Sequence, residues 1–244
     1  MARRPRPDGT GDLDPLAHLV ELAKQTIPPI HRAGLPFVVG PAAVAVLGRR
    51  HRWIARPAAL TAGACAAFFR HPKRVAPTGA GIVVAPADGT VALVDEAVPP
   101  PEAGLGTAPL PRVSTFLSIF DVHVQRAPIA GTVTGVTHTP GAFLSADLPA
   151  ASTDNEHTTM TIRCADSTGV ETEIAVVQIA GLIARRIVCE PNVGDQLNIG
   201  DTYGLIRFGS RVDVYLPAGT VPNVAVGQRA VGGETALAVL GRPS

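Results

Sequence analysis

Two rhythms of hydrophobic spacing divide the chain near residue 75. Before it, apolar residues recur at helical intervals or gather into short runs; after it, they alternate with polar ones in short stretches broken by Gly, Pro and Asp. Leu16, Leu19, Val20, Ala23 and Ile27 share one helical face, and Pro28-Pro29 stop that helix. Two apolar segments follow, Leu35–Leu47 and Ala58–Phe69, of 13 and 12 residues. The linker between them carries Arg49, Arg50, Arg52, Trp53 and Arg56. A helix needs roughly 20 apolar residues to cross a bilayer. The pattern therefore predicts a pair of half-embedded helices with Trp53 and the arginines at headgroup level, or a helical hairpin packed on the rest of the protein.

From Pro77 the pattern predicts strands. Val212, Val214 and Leu216 fall on one face of a strand, with Arg211, Asp213 and Tyr215 on the other. Val176–Val188 reads as an apolar strand pair around Gly181. Pro99–Gly106 reads as a loop, and so does much of His138–Glu156, where Phe143 and Leu144 would suit a substrate-facing flap. The β half repeats itself. Ala85-Pro-Ala-Asp-Gly-Thr-Val matches Ala127-Pro-Ile-Ala-Gly-Thr-Val, and the Val193-Gly segment matches the Val226-Gly segment. This turn chemistry resembles that of lipoyl and biotinyl carrier domains, and predicts a mainly β (α+β) protein with a barrel-like or sandwich core built from two half-repeats.

Charge sharpens the division. Residues 1–75 hold 12 Arg/Lys against 4 Asp/Glu, whereas residues 76–244 hold 9 against 16. A basic and apolar first region suits an anionic membrane surface better than nucleic acid. Three regions follow: a disordered basic tail over 1–15, a helical membrane-associated region over 16–75, and a β-rich domain over 76–244 that would carry any catalysis. The tail lacks the apolar core of a secretory signal. Cys65, Cys164 and Cys189 have no paired spacing, which predicts neither a disulfide framework nor a metal site.

Five stretches could carry chemistry. Asp88 precedes a glycine at a strand start, as a turn residue or as the partner that orients a histidine. Asp121 and His123 lie two apart on a probable strand and so face one side, followed by Arg126. Histidine is the natural base near neutral pH. Asn155, Glu156 and His157 enter another strand, and could bind substrate or cap a turn. Arg185-Arg186 is a solvated edge or a phosphate clamp. Finally, Gly209 leaves the peptide bond before Ser210 open to close approach.

In combination and order, Phe68-Phe-Arg-His-Pro72, Ala85–Gly89, Phe120-Asp-Val-His-Val124, Asn155-Glu156 and Gly204–Asp213 resemble the phosphatidylserine decarboxylase family in its short form. The resemblance spans residue 68 to the C-terminus. It implies that Ser210 attacks the Gly209 carbonyl and that the chain cuts itself there into a β chain, 1–209, and an α chain, 210–244. Ser210 would become a pyruvoyl group, the cofactor, which forms a Schiff base with the substrate amine and draws off electrons as CO₂ leaves. The resemblance also assigns acid–base work to His123, its orientation or help in self-cleavage to Asp88, and substrate binding to Arg126, Asn155 and Glu156. The family's more familiar motif reads Leu-Gly-Ser-Thr, where this chain has Phe208 and Arg211. The long form carries a second histidine where Arg126 stands, so His123 would serve both maturation and turnover. The implied product is phosphatidylethanolamine. The implied setting is the cytoplasmic side of the cell membrane, peripheral or monotopic, with a dimer of the two-chain units plausible.

Two other readings remain. The lipid could be another serine phospholipid such as archaetidylserine. Alternatively, the β half could be a non-catalytic lipoyl-like or phosphocarrier domain, but Lys24 and Lys73, the only lysines, lie outside it.

Overall fold

A computed structural model describes residues 28–146, 148, 151–182, 186–207 and 210–241. The expected tail over 1–15, the expected helix over 16–27, and Arg185, Phe208 and Gly209 lie outside the described residues. Two helices come first, α1 (Leu35–Leu47) and α2 (Arg52–Phe68). The strands are β1 (Ile82–Val84), β2 (Gly89–Ala97), β3 (Leu110–Leu117), β4 (Val124–Arg126), β5 (Gly131–Thr139), β6 (His157–Ala165), β7 (Glu171–Ala180), β8 (Ile187–Cys189), β9 (Gln196–Leu197), β10 (Thr202–Ile206), β11 (Ser210–Tyr215), β12 (Arg229–Ala230) and β13 (Ala236–Val239). The protein is mainly β, as expected, and its largest sheet curls into a half-barrel.

That sheet is antiparallel in the order β12-β2-β3-β11-β7-β6-β5-β9. The order reads the same from either edge in terms of the sequence repeats. β12 and β9 carry the Val-Gly repeats at the two edges, and β2 and β5 carry the Ala-Pro repeats next to them. Each Ala-Pro repeat needs its glycine for the same reason. A Cβ on Gly89 would sit 2.2 Å from the Phe116 carbonyl oxygen, and one on Gly131 would sit 2.3 Å from that of Arg163. β2 and β5 also each shift register two residues after that glycine or soon beyond, between Val91 and Leu93 and between Val133 and Gly135.

The inner face of the sheet builds the main core from Val91, Val113, Leu117, Met160, Ile162, Ile174, Val176, Val212 and Val214, closed by the β1–β13 pair. The outer face is covered too. Ala103, Ala151, Ala175, Val177, Ile179 and Tyr215 form a second cluster under the 99–106 and 142–155 loops. β7 is thus buried on both faces, which is why it reads as a nearly unbroken apolar run. The alternation predicted for β11 holds, yet Arg211, Asp213 and Tyr215 are buried like their neighbours. The outer loops account for this. Arg211 pairs with Asp213 at 2.9 Å and donates to the Ala146 carbonyl at 3.1 Å. The 138–156 loop expected as a flap is therefore packed, through Ala146, Leu148 and Ser152, on the face of β11 opposite the Ser210 side chain.

Both apolar segments of the first region are helical. The second begins at Arg52 rather than Ala58, so Trp53, Arg56 and Pro57 belong to the helix and not to a linker. No residue of α1 is buried, and Phe37, Val39, Val44, Val46, Leu47, Trp53 and Leu60 stand exposed. Among the described residues, no helix is long and apolar enough to cross a membrane. Phe68, Phe69 and Leu205, with Ile30, Cys65 and Val188, fasten this hairpin to a small three-stranded sheet, β4-β10-β8.

Candidate active site

One end of the large sheet gathers the candidate residues. There β2 begins after Asp88, β3 ends at Leu117, β11 begins at Ser210, β7 ends at Ala180 and β6 begins at His157. Ser210 pairs with Leu117 on one side and Ala180 on the other. The chain passes between the large sheet and the small one three times at this end: from β3 to β4, from β7 to β8, and from β10 to β11.

Ser210 is fully buried, and its Oγ has no hydrogen-bond partner among the described residues. An unpaired buried hydroxyl costs about 1–3 kcal/mol. Such a group is uncommon unless chemistry requires it. Nearby on the inner face, Gln178 donates to Gln125, while Gln178 Oε1 and Gln125 Nε2 have no partner among the described residues. Gln178 is the one polar residue in the run Ile174–Ala180, a signal that sequence reading passed over.

His123 is almost completely buried directly before β4, whose Val124 faces Leu205 of β10. Its Nδ1 lies 2.9 Å from the Asp121 carbonyl oxygen. A carbonyl can only accept, so Nδ1 carries the proton and Nε2 is the basic nitrogen. Burial pushes the imidazole down to about 4, against a smaller upward pull from Asp121, so the ring is neutral at physiological pH. Phe68 stacks on it with centroids 4.0 Å apart.

The Phe68–Pro72 stretch is a latch around this strand. Arg70 donates to the Phe120 carbonyl at 2.7 Å, His71 Nε2 lies 2.9 Å from Thr202 Oγ1, and the Pro72 carbonyl accepts from Arg126 at 2.7 Å. Arg126, expected as a substrate cation, also donates to Thr202 Oγ1 at 3.1 Å and to the Gly200 carbonyl at 3.3 Å. Its guanidinium is committed to tying β4, β10 and the latch together.

Asp88 stands at the same sheet end, while the Asp121 carbonyl is what His123 Nδ1 faces. The Asp88 carboxylate accepts from Arg74 at 2.7 Å and from the Gly232 N–H at 2.8 Å. Burial raises its pKa, while the Gly232 N–H and Arg74 oppose the rise. Arg229, which bonds Asp121, links the two carboxylates electrostatically. Asn155 is buried and structural in its bonding: it accepts from Leu144 N at 2.9 Å and donates to the carbonyls of Leu144 at 2.8 Å and Ala180 at 2.7 Å. Ala180 is the residue paired with Ser210, so Asn155 supports the site through the backbone. Glu156 lies 3.8 Å from His138. A cavity of about 640 Å³ opens elsewhere, on the outer face, between Pro99–Glu102, Arg112, His157 and Tyr215.

A buried, orphaned serine hydroxyl and a neutral imidazole, gathered at one irregular sheet end, are the equipment of a hydroxyl-nucleophile site. A sequence model of the phosphatidylserine decarboxylase family matches residues 62–238. Phosphatidylserine decarboxylase proenzymes of Mycobacterium ulcerans, Rhodococcus jostii and Mycobacteroides abscessus are 59%, 59% and 61% identical, over 98% of this chain and 100% of each relative. The chain belongs to the phosphatidylserine decarboxylase family.

Proposed function

We propose that this protein decarboxylates phosphatidylserine to phosphatidylethanolamine after cutting itself between Gly209 and Ser210. The buried Ser210 Oγ at the start of β11, without a hydrogen-bond partner among the described residues, is the observation that carries the reading. The hydroxyl adds to the Gly209 carbonyl, and the amide becomes an ester as the acyl group moves from nitrogen to oxygen. Loss of the Ser210 α-proton expels the Gly209 carboxylate, and hydrolysis of the resulting dehydroalanine releases ammonia. The new terminus of the 210–244 chain is a pyruvoyl group, whose ketone, conjugated to an amide, supplies the electron sink that decarboxylation needs.

This chain's residues fit that group. β11 is held by β3 on one side and β7 on the other, so the terminus cannot drift from the site. His123 Nε2 takes the proton from Ser210 during maturation and returns one to the substrate carbon during turnover. The dry inner face removes water from the substrate carboxylate as it leaves. Asp88 and Arg74 fix the loop beside β3, and Asn155 fixes Ala180.

The hairpin of α1 and α2 aims the site at a bilayer. Residues 28–75 contain eight Arg/Lys and no Asp/Glu, and the exposed apolar residues are concentrated there. This charge and exposure support peripheral or monotopic attachment to the anionic cytoplasmic leaflet. Intact mass under denaturing conditions tests the whole reading. Active protein should give two pieces divided at Gly209/Ser210, the smaller blocked at its N-terminus. A single full-length mass in active protein would overturn it.

A further inference from the structure

Three arginines at this sheet end are answered by an acid or a carbonyl: Arg74 by Asp88, Arg126 by Pro72 and Gly200, Arg229 by Asp121. Arg207 and Arg186 are not. Neither forms a salt bridge among the described residues, and the Arg207 Nε is buried without a partner. The nearest carboxylate along β8, Glu190, is already held by Arg32 at 2.9 Å.

Their placement makes this costly. β8 and β10 pair with Ile187 opposite Ile206, and the Arg207 N–H donates to the Arg186 carbonyl at 3.1 Å. The two arginines therefore extend the ladder as directly opposed residues on one face. Like charges in that position repel. Burial and the Arg186 charge both lower the pKa of Arg207. The Phe37 ring of α1 lies under the Arg207 guanidinium, 5.0 Å from it, and holds it beside the helical hairpin. A pair of guanidiniums opposed in this way is a fork for an anion with several oxygens.

We propose that Arg186 and Arg207 form the subsite for the phosphodiester of the serine lipid, at the junction of the hairpin and the small sheet. This assignment rests on the decarboxylase reading above. The substrate brings two anions, and only the phosphodiester survives the reaction. A guanidinium pair on the carboxylate would stabilise the ground state that must lose its charge as CO₂, and so oppose the reaction. On the phosphodiester the same pair binds ground and transition states alike and anchors the lipid. In the uncut chain Arg207 stands three residues before Ser210, a backbone reach of at most about 10 Å, and the pairing of β10 with β4 and β8 does not depend on the bond that is cut; a serine headgroup places its phosphorus only a few bonds from its amine.

The test uses mature, cut enzyme in neutral detergent micelles with two substrates: phosphatidylserine, and a serine lipid whose phosphodiester is replaced by a neutral ether link. With Arg186→Gln or Arg207→Gln, kcat/KM for phosphatidylserine should fall about 10- to 100-fold, mainly through KM, as expected for one charge-assisted contact. The phosphate-free substrate should lose less than about threefold, and Arg207→Lys should recover part of the loss. Phosphatidylglycerol added to the micelles should compete in the wild type and lose potency in the variants. Equal losses on both substrates would overturn the subsite while leaving the activity standing. Inhibition by inorganic phosphate without competition by phosphatidylglycerol would overturn its assignment to a lipid phosphodiester. If Arg207→Gln fails to cut itself, the exposed Arg186→Gln decides alone. A wild type that decarboxylates neither lipid would refute the parent reading instead.

Discussion

The two ends of the large sheet are built from matching parts and have opposite characters. At one end β6 runs into β7 through a tight turn, where Asp166 accepts from the N–H groups of Thr168 and Val170 at 2.7 and 3.0 Å. Ala130 stands before the glycine that opens β5. At the other end Asp88 stands before the glycine that opens β2, and the chain passes three times between the large sheet and the small one instead of turning back. A closed hairpin satisfies its own backbone and leaves no room for reactive groups. Among the described residues, the crossing end leaves polar atoms of Ser210, Gln125 and Gln178 without partners. The fold tolerates unpaired polar groups at the end where its symmetry is broken, and that is where the chemistry is proposed.

The comparison can be broken most severely at Ser210. Ser210→Ala should remain a single 244-residue chain with no decarboxylase activity, whereas Thr168→Ala in the closed turn should cut normally; a denaturing gel separates the outcomes. His123→Ala should also stay uncut, and efficient cutting of that variant would remove the histidine from maturation. Asp88→Asn should slow cutting about tenfold, because the Arg74 contact loses its charge. Placing the acid at the matching position of the other end, Ala130→Asp, should change stability by no more than about 0.5 kcal/mol and leave cutting alone.

Acid sharpens the same contrast. His123 titrates near 4 in the fold and near 6.5 when unfolded, so between those values the unfolded chain binds the proton first. Stability present above pH 6.5 is lost as pH falls toward 4, by an amount on the order of 3 kcal/mol for this group. His31 and His71, both lowered by burial, add in the same direction. Thermal melts of the uncut Ser210→Ala chain should show this slope, and His123→Gln should flatten it. Asn155→Ala should have a smaller effect, about 2 kcal/mol of stability in the same melts, through the orphaned Leu144 and Ala180 backbone groups.

Much of this was legible in the sequence for a physical reason: period and turn chemistry are local. Gly89 and Gly131 mark the two half-repeats because each meets a carbonyl too closely for any Cβ. The Ser210 stretch stood out as a polar residue entering an apolar strand, and the His123 stretch as polar residues leading into one, although the strand expected to hold Asp121 and His123 begins only at Val124, after both. What stayed hidden depends on long-range pairing. The outer loops bury Arg211 and Asp213, which alternation alone would leave facing water. Arg126 looked like a substrate cation because its partners at Pro72, Gly200 and Thr202 are far away in sequence. Arg186 and Arg207 become a pair only once β8 lies against β10.

The central position of β11 has a further consequence. The segment after the proposed cut supplies this strand, flanked on both sides, together with β12 and β13 against β2 and β1. Folding must therefore precede cutting, since the bond is attacked only once the strand is in place. After the cut, the protein that unfolds becomes two molecules, and recovery requires a short peptide to find the middle of a sheet by diffusion. Maturation would thus convert a reversible folder into a protein that is assembled once, whose working life is set by how slowly it opens rather than by how well it refolds.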